Sequence, residues 1–416
     1  MRILVTILTL CLTASLGHAR QIYVSSGAQG GNGSASAPFG SVGDAIAQAQ
    51  GGDEILLAPG RYGKIFMRKK SFSTPLVIRS AEGKTAIIKG IDLRRSDGLT
   101  FRNLTVEALG AGEVAEKNHN AVHSDLASDR IRFENLDMRI SPDAANYRQW
   151  TKQDWSNRQI RGVLMRSPNS AVTGTKVLGF SYGITAEGAN SLVEGNDIEG
   201  FSGDGIRLIG SNGVARSNYV HNCVKVSGNH DDGLQSWTPK RGKNKGLLTN
   251  LTIEGNTFFE WDNSPESALK CTLQGIGMFD GIFENVTIRN NVISVSSYHG
   301  IALYGGRNAQ IYNNTVTNPE NAPLNRPWIR VNPHKDGRLS ENVRVYNNIA
   351  HRFIQEGNVP GGRFENNAEI TSPQRLFRDP AGRDYRLRDN ASGIKESTRS
   401  YQGNVTPLSQ RGAFAN

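Results

Sequence analysis

Residues 182–185 read Tyr-Gly-Ile-Thr, and residues 204–207 read Asp-Gly-Ile-Arg. The same order of a polar residue, a glycine and an apolar residue is found at 161–164, 232–235, 274–277 and 299–302. The six glycines are 21, 22, 28, 42 and 25 residues apart, which indicates a unit of about 21 residues with insertions. A short strand that returns at this period is typical of a solenoid of stacked turns.

A second repeat runs out of phase with the first. An asparagine precedes a β-branched or apolar pair at five places, namely Asn196, Asn256, Asn291, Asn314 and Asn348. Asparagines stacked at one corner can hydrogen-bond to each other from one turn to the next. Two repeats in a fixed phase predict an all-β fold, a right-handed parallel β-helix, over residues 20–370.

The two ends of the repeat region fit this fold. Residues 42–50 form a short amphipathic pattern, which predicts a helix that covers the open first turn. The strand, Pro-Gly-x-Tyr turn and strand at 53–62 follow it. With the repeats, these features resemble the pectin-lyase-like β-helix superfamily over most of residues 21–370. Residues 371–416 lose the period, so we expect this tail to pack on the helix or to cap it.

Residues 1–19 have the pattern of an export signal. Arg2 provides the positive start, an apolar run follows over residues 3–12, and Gly17 and Ala19 are small residues suited to cleavage. The run is too short to span a bilayer. We therefore expect a mature monomer that is secreted or periplasmic and does not insert into a membrane.

The charge balance favours an anionic partner. The chain has 48 Lys and Arg against 38 Asp and Glu, a net charge of +10, and loss of Arg2 with the signal leaves +9. Export and the lack of helix-turn-helix or zinc-finger patterns argue against nucleic acid. An acidic polysaccharide fits both export and charge, and the alternative is a basic protein without a charged ligand. Cys223 and Cys271 fall in neighbouring turns, where they form either a disulfide or two buried thiols.

The position before each repeated glycine lies at the same corner of the predicted helix. Its six residues are all polar, and at about 4.8 Å per turn they form a ribbon about 24 Å long: Arg161, Tyr182, Asp204, Asp232, Gln274 and His299. Polar residues are also common at ordinary turns. We interpret the ribbon as a groove for a polysaccharide, with the following candidates for binding: Arg161, Tyr182, Gln235, Trp237, Gln274, Tyr304 and Arg330.

Insertions are predicted to line this groove, at 141–160, 220–231, 237–248, 260–273 and 317–327. All five tryptophans lie in these insertions or beside them. Exposed aromatic rings at such places would stack on sugars. The alternative is that the tryptophans fix the loops to the barrel.

Three carboxylates fall within about one turn of each other, namely Asp204, Asp231 and Asp232. Carboxylates this close raise each other's pKa unless a cation lies between them. They are therefore candidates for a calcium site, with Gln235 as a further ligand, or for general acid and base catalysis. A purely structural cluster is the third possibility.

The cluster is similar to that of calcium-dependent β-helix pectate lyases, which carry an Asp on one turn and Asp-Asp-Gly-apolar-Asp on the next. Asp204, Asp231 and Asp232 match that motif, which implies calcium binding by these three residues. Position 235 is glutamine where the family has aspartate. The family's catalytic lysine falls at Gly277, and nearby Lys270 is the candidate to replace it.

The chain also resembles the polygalacturonases, which place Asp-Gly, Asp-Asp, Gly-His-Gly and Arg-x-Lys on successive turns. Asp204, Asp231, Asp232 and His299 match in order, although an additional turn precedes His299. Arg330 lies near the family's arginine, but position 332 is asparagine where the family has lysine. This resemblance implies hydrolysis by paired aspartates.

The leading hypothesis is a polysaccharide lyase that cleaves a uronate-containing chain by β-elimination. Calcium at the three aspartates, or Arg207 and Gln235 directly, would neutralise the substrate carboxylate, and His299 or Lys270 would remove the C5 proton. The catalytic candidates are Asp204, Asp231, Asp232, His299, Lys270 and Arg207. The alternatives are an inverting glycoside hydrolase, a uronate C5-epimerase and a non-catalytic glycan-binding protein.

Overall fold

The computed structural model describes residues 19–116, 119–239, 245–319, 326–396 and 408–414. All but the last residue of the predicted export signal lies outside this part of the chain. Successive strands are parallel and pair with strands one turn away, which is the arrangement of a β-helix.

Three faces make up the helix. The first face is a sheet of 13 parallel strands: Gln21–Val24, Glu54–Leu57, Ser71–Ser80, Asp97–Arg102, Asp129–Glu134, Ala171–Thr173, Leu192–Glu194, Val214–Arg216, Thr252–Glu254, Thr287–Arg289, Gln310–Tyr312, Arg344–Tyr346 and Arg363–Glu365. Most of these strands have three residues, because each crosses one narrow face before the chain turns a corner.

The other two faces belong to one sheet of 22 strands. They are joined because two long strands, Gly60–Arg68 and Ala86–Arg94, extend round the corner between them. The second face contains Thr105–Glu107, Asp137–Arg139, Lys176–Leu178, Asp197–Phe201, Tyr219–Cys223, Thr257–Phe259, Val292–Ser294, Thr315–Thr317, Ile349–Ala350, Ala368–Ile370 and Ile394–Glu396. The third face contains Asn120–Ser124, Arg161–Met165, Tyr182–Ala186, Ile206–Leu208, Asp232–Trp237, Gln274–Asp280, His299–Tyr304, Trp328–Asn332 and Arg352–Gln355.

Smaller elements complete the chain. Leu247–Thr249, Ile282–Glu284 and Gly306–Arg307 form a parallel three-stranded sheet, and Phe377–Asp379 pairs antiparallel with Asp384–Leu387. The described residues contain three α-helices, Val42–Gln48, Lys152–Asn157 and Pro373–Leu376, and two 3₁₀ helices, Ala144–Gln149 and Leu408–Gln410. No helix of the described residues has the length and apolar character needed to cross a membrane.

The two ends of the helix differ. At the first turn, Ser41 accepts a hydrogen bond from the Asp44 N–H and begins the helix Val42–Gln48, which buries Ala45 and Ile46. At the last turn, Ile394–Glu396 pairs antiparallel with Ala368–Ile370, whereas all earlier pairs on this face are parallel. The change of direction ends the parallel stack.

The Asn repeat forms a continuous buried ladder between the first and second faces. Each Asn side chain donates from Nδ2 to the Oδ1 of the next one at 2.8–3.0 Å. The ladder contains the five predicted members and two that the sequence pattern missed, Asn218 and Asn367. The residue before each ladder member has positive φ, which explains the recurring Gly-Asn and Asn-Asn pairs.

A second asparagine ladder lies on the surface and was not predicted. Asn190, Asn212, Asn250 and Asn285 each donate to the preceding member, beginning with Asn169, at 2.7–3.1 Å. These residues themselves have φ of 51–60°, a conformation that asparagine tolerates better than most residues. Their separation along the chain hides the pattern, because the insertions of the third face fall between them.

Candidate functional site

The predicted ribbon is present on the third face. The strand register places Arg161 beside Tyr182, and Asp232 beside Gln274. The Ile206–Leu234 pair brings Asp204 alongside Asp232. Trp328 follows His299 as a further member. Parallel pairing one turn apart therefore lines up side chains that are 21 or more residues apart in the sequence.

Three buried carboxylates lie at the centre of the ribbon. The Asp204 carboxylate accepts hydrogen bonds from the Arg207 Nε at 2.6 Å and from the Asp232 backbone N–H at 3.2 Å. Asp231 pairs with Lys225 at 2.8 Å, a partner that the sequence reasoning missed. Among the described residues, neither oxygen of Asp232 has a hydrogen-bond partner, and this side chain is 0% exposed.

Burial raises the pKa of all three carboxyl groups, because it removes water from the charged form. The pKa of Asp231 reaches about 6, although Lys225 opposes the rise. The pKa of Asp232 lies well above its ordinary value, since Asp204 and Asp231 add their repulsion to the effect of burial. Asp232 therefore holds a proton more firmly than an ordinary aspartate, as a general acid does.

The pKa of Asp231 predicts a stability effect. An aspartate with a folded pKa of about 6 and an unfolded pKa of about 3.9 stabilises the fold below both values and loses this contribution as the pH rises through 6. The free energy of unfolding of the wild type should change between pH 4 and pH 7.5 because of this group. We expect Asp231→Asn to reduce that change by roughly 2–3 kcal/mol, as measured by denaturant unfolding at the two pH values. Asp389→Asn is the control, because the Asp389 side chain is 95% exposed. A wild-type slope in the Asp231 variant would contradict the assignment.

A cavity of about 320 Å³ opens beside the carboxylates. Its lining combines acidic, basic, aromatic and amide groups: Tyr182, Asp204, Arg207, Gly228, Asn229, His230 and Gln235. The guanidinium of Arg207 lies 3.5 Å from the centre of the Tyr182 ring. His230 and Asn229 were not among the predicted site residues, although they immediately precede the Asp231-Asp232 pair in the sequence. The cavity therefore combines Arg207, Gln235 and a histidine in one lining.

Segment 224–231 carries Gly228, Asn229 and His230 to this cavity, and its first residues are held in place. Cys223 and Cys271 form a disulfide, the alternative that the sequence left open. Val224 forms an antiparallel bridge with Lys270, and the Lys225 N–H donates to the Leu269 carbonyl at 2.6 Å. The strand Tyr219–Cys223 reaches further than predicted, so the insertion begins at residue 224 rather than at 220. Residues 227–230 are exposed at its tip.

The three carboxylates fit a calcium ion poorly. Asp204 and Asp231 already pair with Arg207 and Lys225, and Gln235 replaces a fourth carboxylate. No group of three or more His, Cys, Asp or Glu side chains in the described residues is arranged to hold a metal ion. Calcium binding stays a prediction.

Lys270 does not fit the predicted role of base. Its ammonium group pairs with Glu266 at 2.6 Å and with Glu260 at 3.8 Å. Glu260 is itself buried and accepts hydrogen bonds from Ser296 and Leu273. Both glutamates hold the ammonium group of Lys270 in ion pairs, so this side chain is not available to a sugar at the ribbon.

His299, Arg330 and Tyr304 form a separate part of the ribbon. The pKa of His299 falls to about 4 because of burial and the charges of Arg330 and His230, so the ring is neutral at pH 7. Arg330 pairs with Glu356, and its guanidinium lies 5.8 Å from the Tyr304 ring centre. The His299 turn lies three turns from that of Arg207, about 14 Å. Arg207 and His299 are therefore too far apart to act on one sugar, contrary to the combined role predicted above.

The remaining candidates lie at the edges of the site. The Arg161 guanidinium is 5.9 Å from the Tyr182 ring centre, on the turn before the cavity. Gln274 is half-buried, and its Oε1 has no hydrogen-bond partner among the described residues. Its turn lies between Asp232 and His299. Both residues can contact a chain that follows the ribbon.

The tryptophans were only partly predicted correctly. Trp150, Trp155 and Trp261 are 7%, 0% and 1% exposed, so they fix the insertions to the barrel rather than stack on sugars. The rings of Trp150 and Trp155 are 5.1 Å apart in an edge-to-face contact. Only Trp237 and Trp328 are half-buried on the third face, where a ligand can reach them.

Comparison with known proteins supports the fold. The family model described as right handed beta helix region matches residues 161–316. No curated protein matches the sequence.

Similar solved structures include three carbohydrate-active proteins. Pectate lyase Pel9A shares 17% identity over 96% of this chain and 97% of its own, with a TM-score of 0.48. The GH136 lacto-N-biosidase from Eubacterium ramulus has 14% sequence identity, and the match covers 83% of this chain and 67% of the biosidase, with a TM-score of 0.46. The A-module of Azotobacter vinelandii mannuronan C-5 epimerase AlgE6 has 16% sequence identity, and the match covers 78% of this chain and 84% of the module, with a TM-score of 0.45. Such identities concern the fold and not the chemistry. The matched repeat region and the stacked parallel strands identify the fold of this chain as a right-handed parallel β-helix.

Proposed function

We propose that this protein is a carbohydrate-active enzyme, a polysaccharide lyase that cleaves a uronate-containing chain by β-elimination. The observation that carries this proposal is the 320 Å³ cavity, which Arg207, Gln235 and His230 line together. A cation and an amide can neutralise a sugar carboxylate, and a histidine can remove the neighbouring proton. The elimination centre therefore lies at this cavity and not at His299.

The proposed reaction needs no metal. Arg207 and Gln235 hold the carboxylate of the uronate, which makes the C5 proton more acidic. His230 takes this proton, the C5–H electron pair becomes the C4–C5 double bond, and the C4–O4 bond breaks. The departing oxygen takes the proton of Asp232, which the protonated His230 later returns through solvent. Asp232 is fully buried and does not line the cavity, so this transfer requires a local opening that exposes its carboxyl group.

Hydrolysis is the second candidate, and the raised pKa of each of the three carboxyl groups favours it. Asp232 would protonate the leaving oxygen, and Asp231 or Asp204 would activate a water molecule. The two candidates use the same acid. They differ in the role of Arg207 and His230, which hydrolysis of a neutral chain does not need.

The assay that separates these reactions follows absorbance of the unsaturated uronate. The mature protein is incubated with pectate, alginate, glucuronan and glycosaminoglycans, with and without chelator. Rising absorbance that persists with chelator supports metal-free elimination at Arg207. Loss of the signal with chelator would instead restore the calcium hypothesis. New reducing ends with flat absorbance would replace elimination by hydrolysis.

Arg207→Ala tests the role of the cation. We expect it to lower kcat/KM for elimination by about 100-fold or more, since a positioned charge at the reacting group contributes this much. The matched control is Arg216→Ala, which removes an arginine that pairs with Glu194 at 2.7 Å on the first face. Equal activity of the two variants would exclude Arg207 from the reaction.

We also propose that the mature enzyme works outside the cytoplasm. The Cys223–Cys271 disulfide supports this location, because such bonds persist mainly in oxidising compartments. Fractionation of the source cells, followed by mass determination of the mature chain, would test export and cleavage after residue 19 together.

A further inference from the structure

A second and larger cavity, of about 640 Å³, lies on the other side of Gln235. Gln235 and Trp237 come from one strand, and four lining residues follow that strand in the chain: Thr238, Pro239, Lys245 and Gly246. Later turns contribute Asp280, Gly281, His334 and Arg338. Gly281 is required at its floor, because a Cβ there would lie 2.0 Å from the Thr238 hydroxyl. The two cavities share Gln235, so one bound chain can extend from one into the other.

The charges of this second cavity favour an anion. Asp280 is paired with Lys335 at 2.6 Å, and Asp336 is paired with both Arg338 and His334. The acidic groups in and beside the cavity are therefore already matched by cations. Lys245 lines the cavity, is exposed and has no ion pair with any described residue. An unmatched lysine at a cavity wall attracts and binds an anionic group.

Trp237 provides an apolar wall between the two cavities. Its ring is half-buried and lies 5.3 Å from the guanidinium of Arg207, which belongs to the first cavity. An aromatic wall beside a lysine suits a ring that carries a carboxylate, because the ring packs on the indole and the charge reaches the ammonium group. A neutral sugar would use only the first of these contacts.

We propose that the second cavity is a binding subsite for a further acidic sugar of the same polysaccharide chain. Lys245 binds its carboxylate, and Trp237 packs against its ring. The subsite makes the enzyme select chains with acidic residues on both sides of Gln235. This proposal takes its substrate class from the proposed function, but it concerns binding and not the chemical step.

The test is calorimetric titration of the full mature chain with hexamers of galacturonate and of mannuronate, at low ionic strength. Lys245→Ala is expected to weaken binding of the hexamer that binds wild type by roughly tenfold, about the effect of one charge-assisted contact. Lys245→Arg should restore most of it. The control is Lys89→Ala, which removes the same charge from an exposed lysine paired with Glu113 on a distant turn.

The outcomes separate this inference from the proposed function. Equal binding by the Lys245→Ala and Lys89→Ala variants would overturn the subsite, as would a wild type that binds neither hexamer. Binding that depends on Lys245 without any cleavage would leave the subsite in place and remove the lyase. Cleavage by a protein whose binding does not depend on Lys245 would leave the lyase in place and remove the subsite.

Discussion

Replacing Asp232 with asparagine is expected to abolish cleavage and to make the protein more stable at neutral pH. Either candidate reaction uses Asp232 as the acid, so activity should fall by about 10²–10⁴-fold, the usual contribution of such a group. The gain in the free energy of unfolding should be about 1–3 kcal/mol, because a buried carboxyl group without a hydrogen-bond partner is costly to keep. Opposite effects on activity and stability are the expected signature of a catalytic group.

The stability gain should depend on pH in a defined direction. The pKa of Asp232 is raised in the folded state, so its carboxyl group contributes most stability at low pH and loses this contribution as the pH rises. Wild type and Asp232→Asn should therefore converge near pH 4 and differ most above neutrality in denaturant unfolding. Asp389→Asn should change neither quantity. A destabilised Asp232→Asn protein at pH 7.5 would show that the carboxylate has a partner in solution.

The second large effect is expected in the buried ladder. The Asn256 side chain donates to Ala215 and to Asn291, and its Oδ1 accepts from the backbone and side chain of Asn218. Asn256→Ala removes four buried hydrogen bonds and leaves groups on both neighbouring turns without partners. We expect a loss of about 3–5 kcal/mol in the free energy of unfolding, at about 1 kcal/mol for each bond.

The surface ladder provides the matched control. Asn250 also bonds to its neighbours, Asn212 and Asn285, but it is exposed and has a φ of 58°, which glycine adopts freely. Asn250→Gly should therefore cost less than about 1 kcal/mol, since water replaces its partners. If both substitutions had the same effect on the unfolding midpoint, burial would not be the source of the ladder's stability.

The fold could be predicted because each turn repeats the same local requirements. Glycine before an inward apolar residue, and a residue with positive φ before each ladder asparagine, leave a pattern in the sequence wherever the chain turns a corner. The surface ladder escaped notice, although an apolar residue stands three positions after each member, because the spacing between its members varies from 21 to 38 residues. The repeat could not predict the antiparallel pairing of Ile394–Glu396 either, because this pairing depends on how the tail folds back.

The sequence predicted which site residues are neighbours along the axis of the helix, but not the contacts that the insertions make with them. Counting turns places Asp204 beside Asp232, and it also shows that His299 is too far from Arg207, a conclusion that the sequence alone allowed. Lateral contacts are a different matter. The pairing of Lys225 with Asp231, and that of Lys270 with two glutamates, depend on how the insertions fold. The same insertions bury Trp155 and Trp261, which the sequence could not distinguish from exposed rings.

The buried ladder also bears on how such a protein changes over evolutionary time. Its successive members are separated by 22, 38, 35, 23, 34 and 19 residues, yet each meets the next in the same geometry. One corner thus keeps the turns aligned whatever length of chain connects them. Loops on the third face can be lengthened, exchanged or recharged while the scaffold stays in register, so new binding specificities can arise without the fold being selected anew.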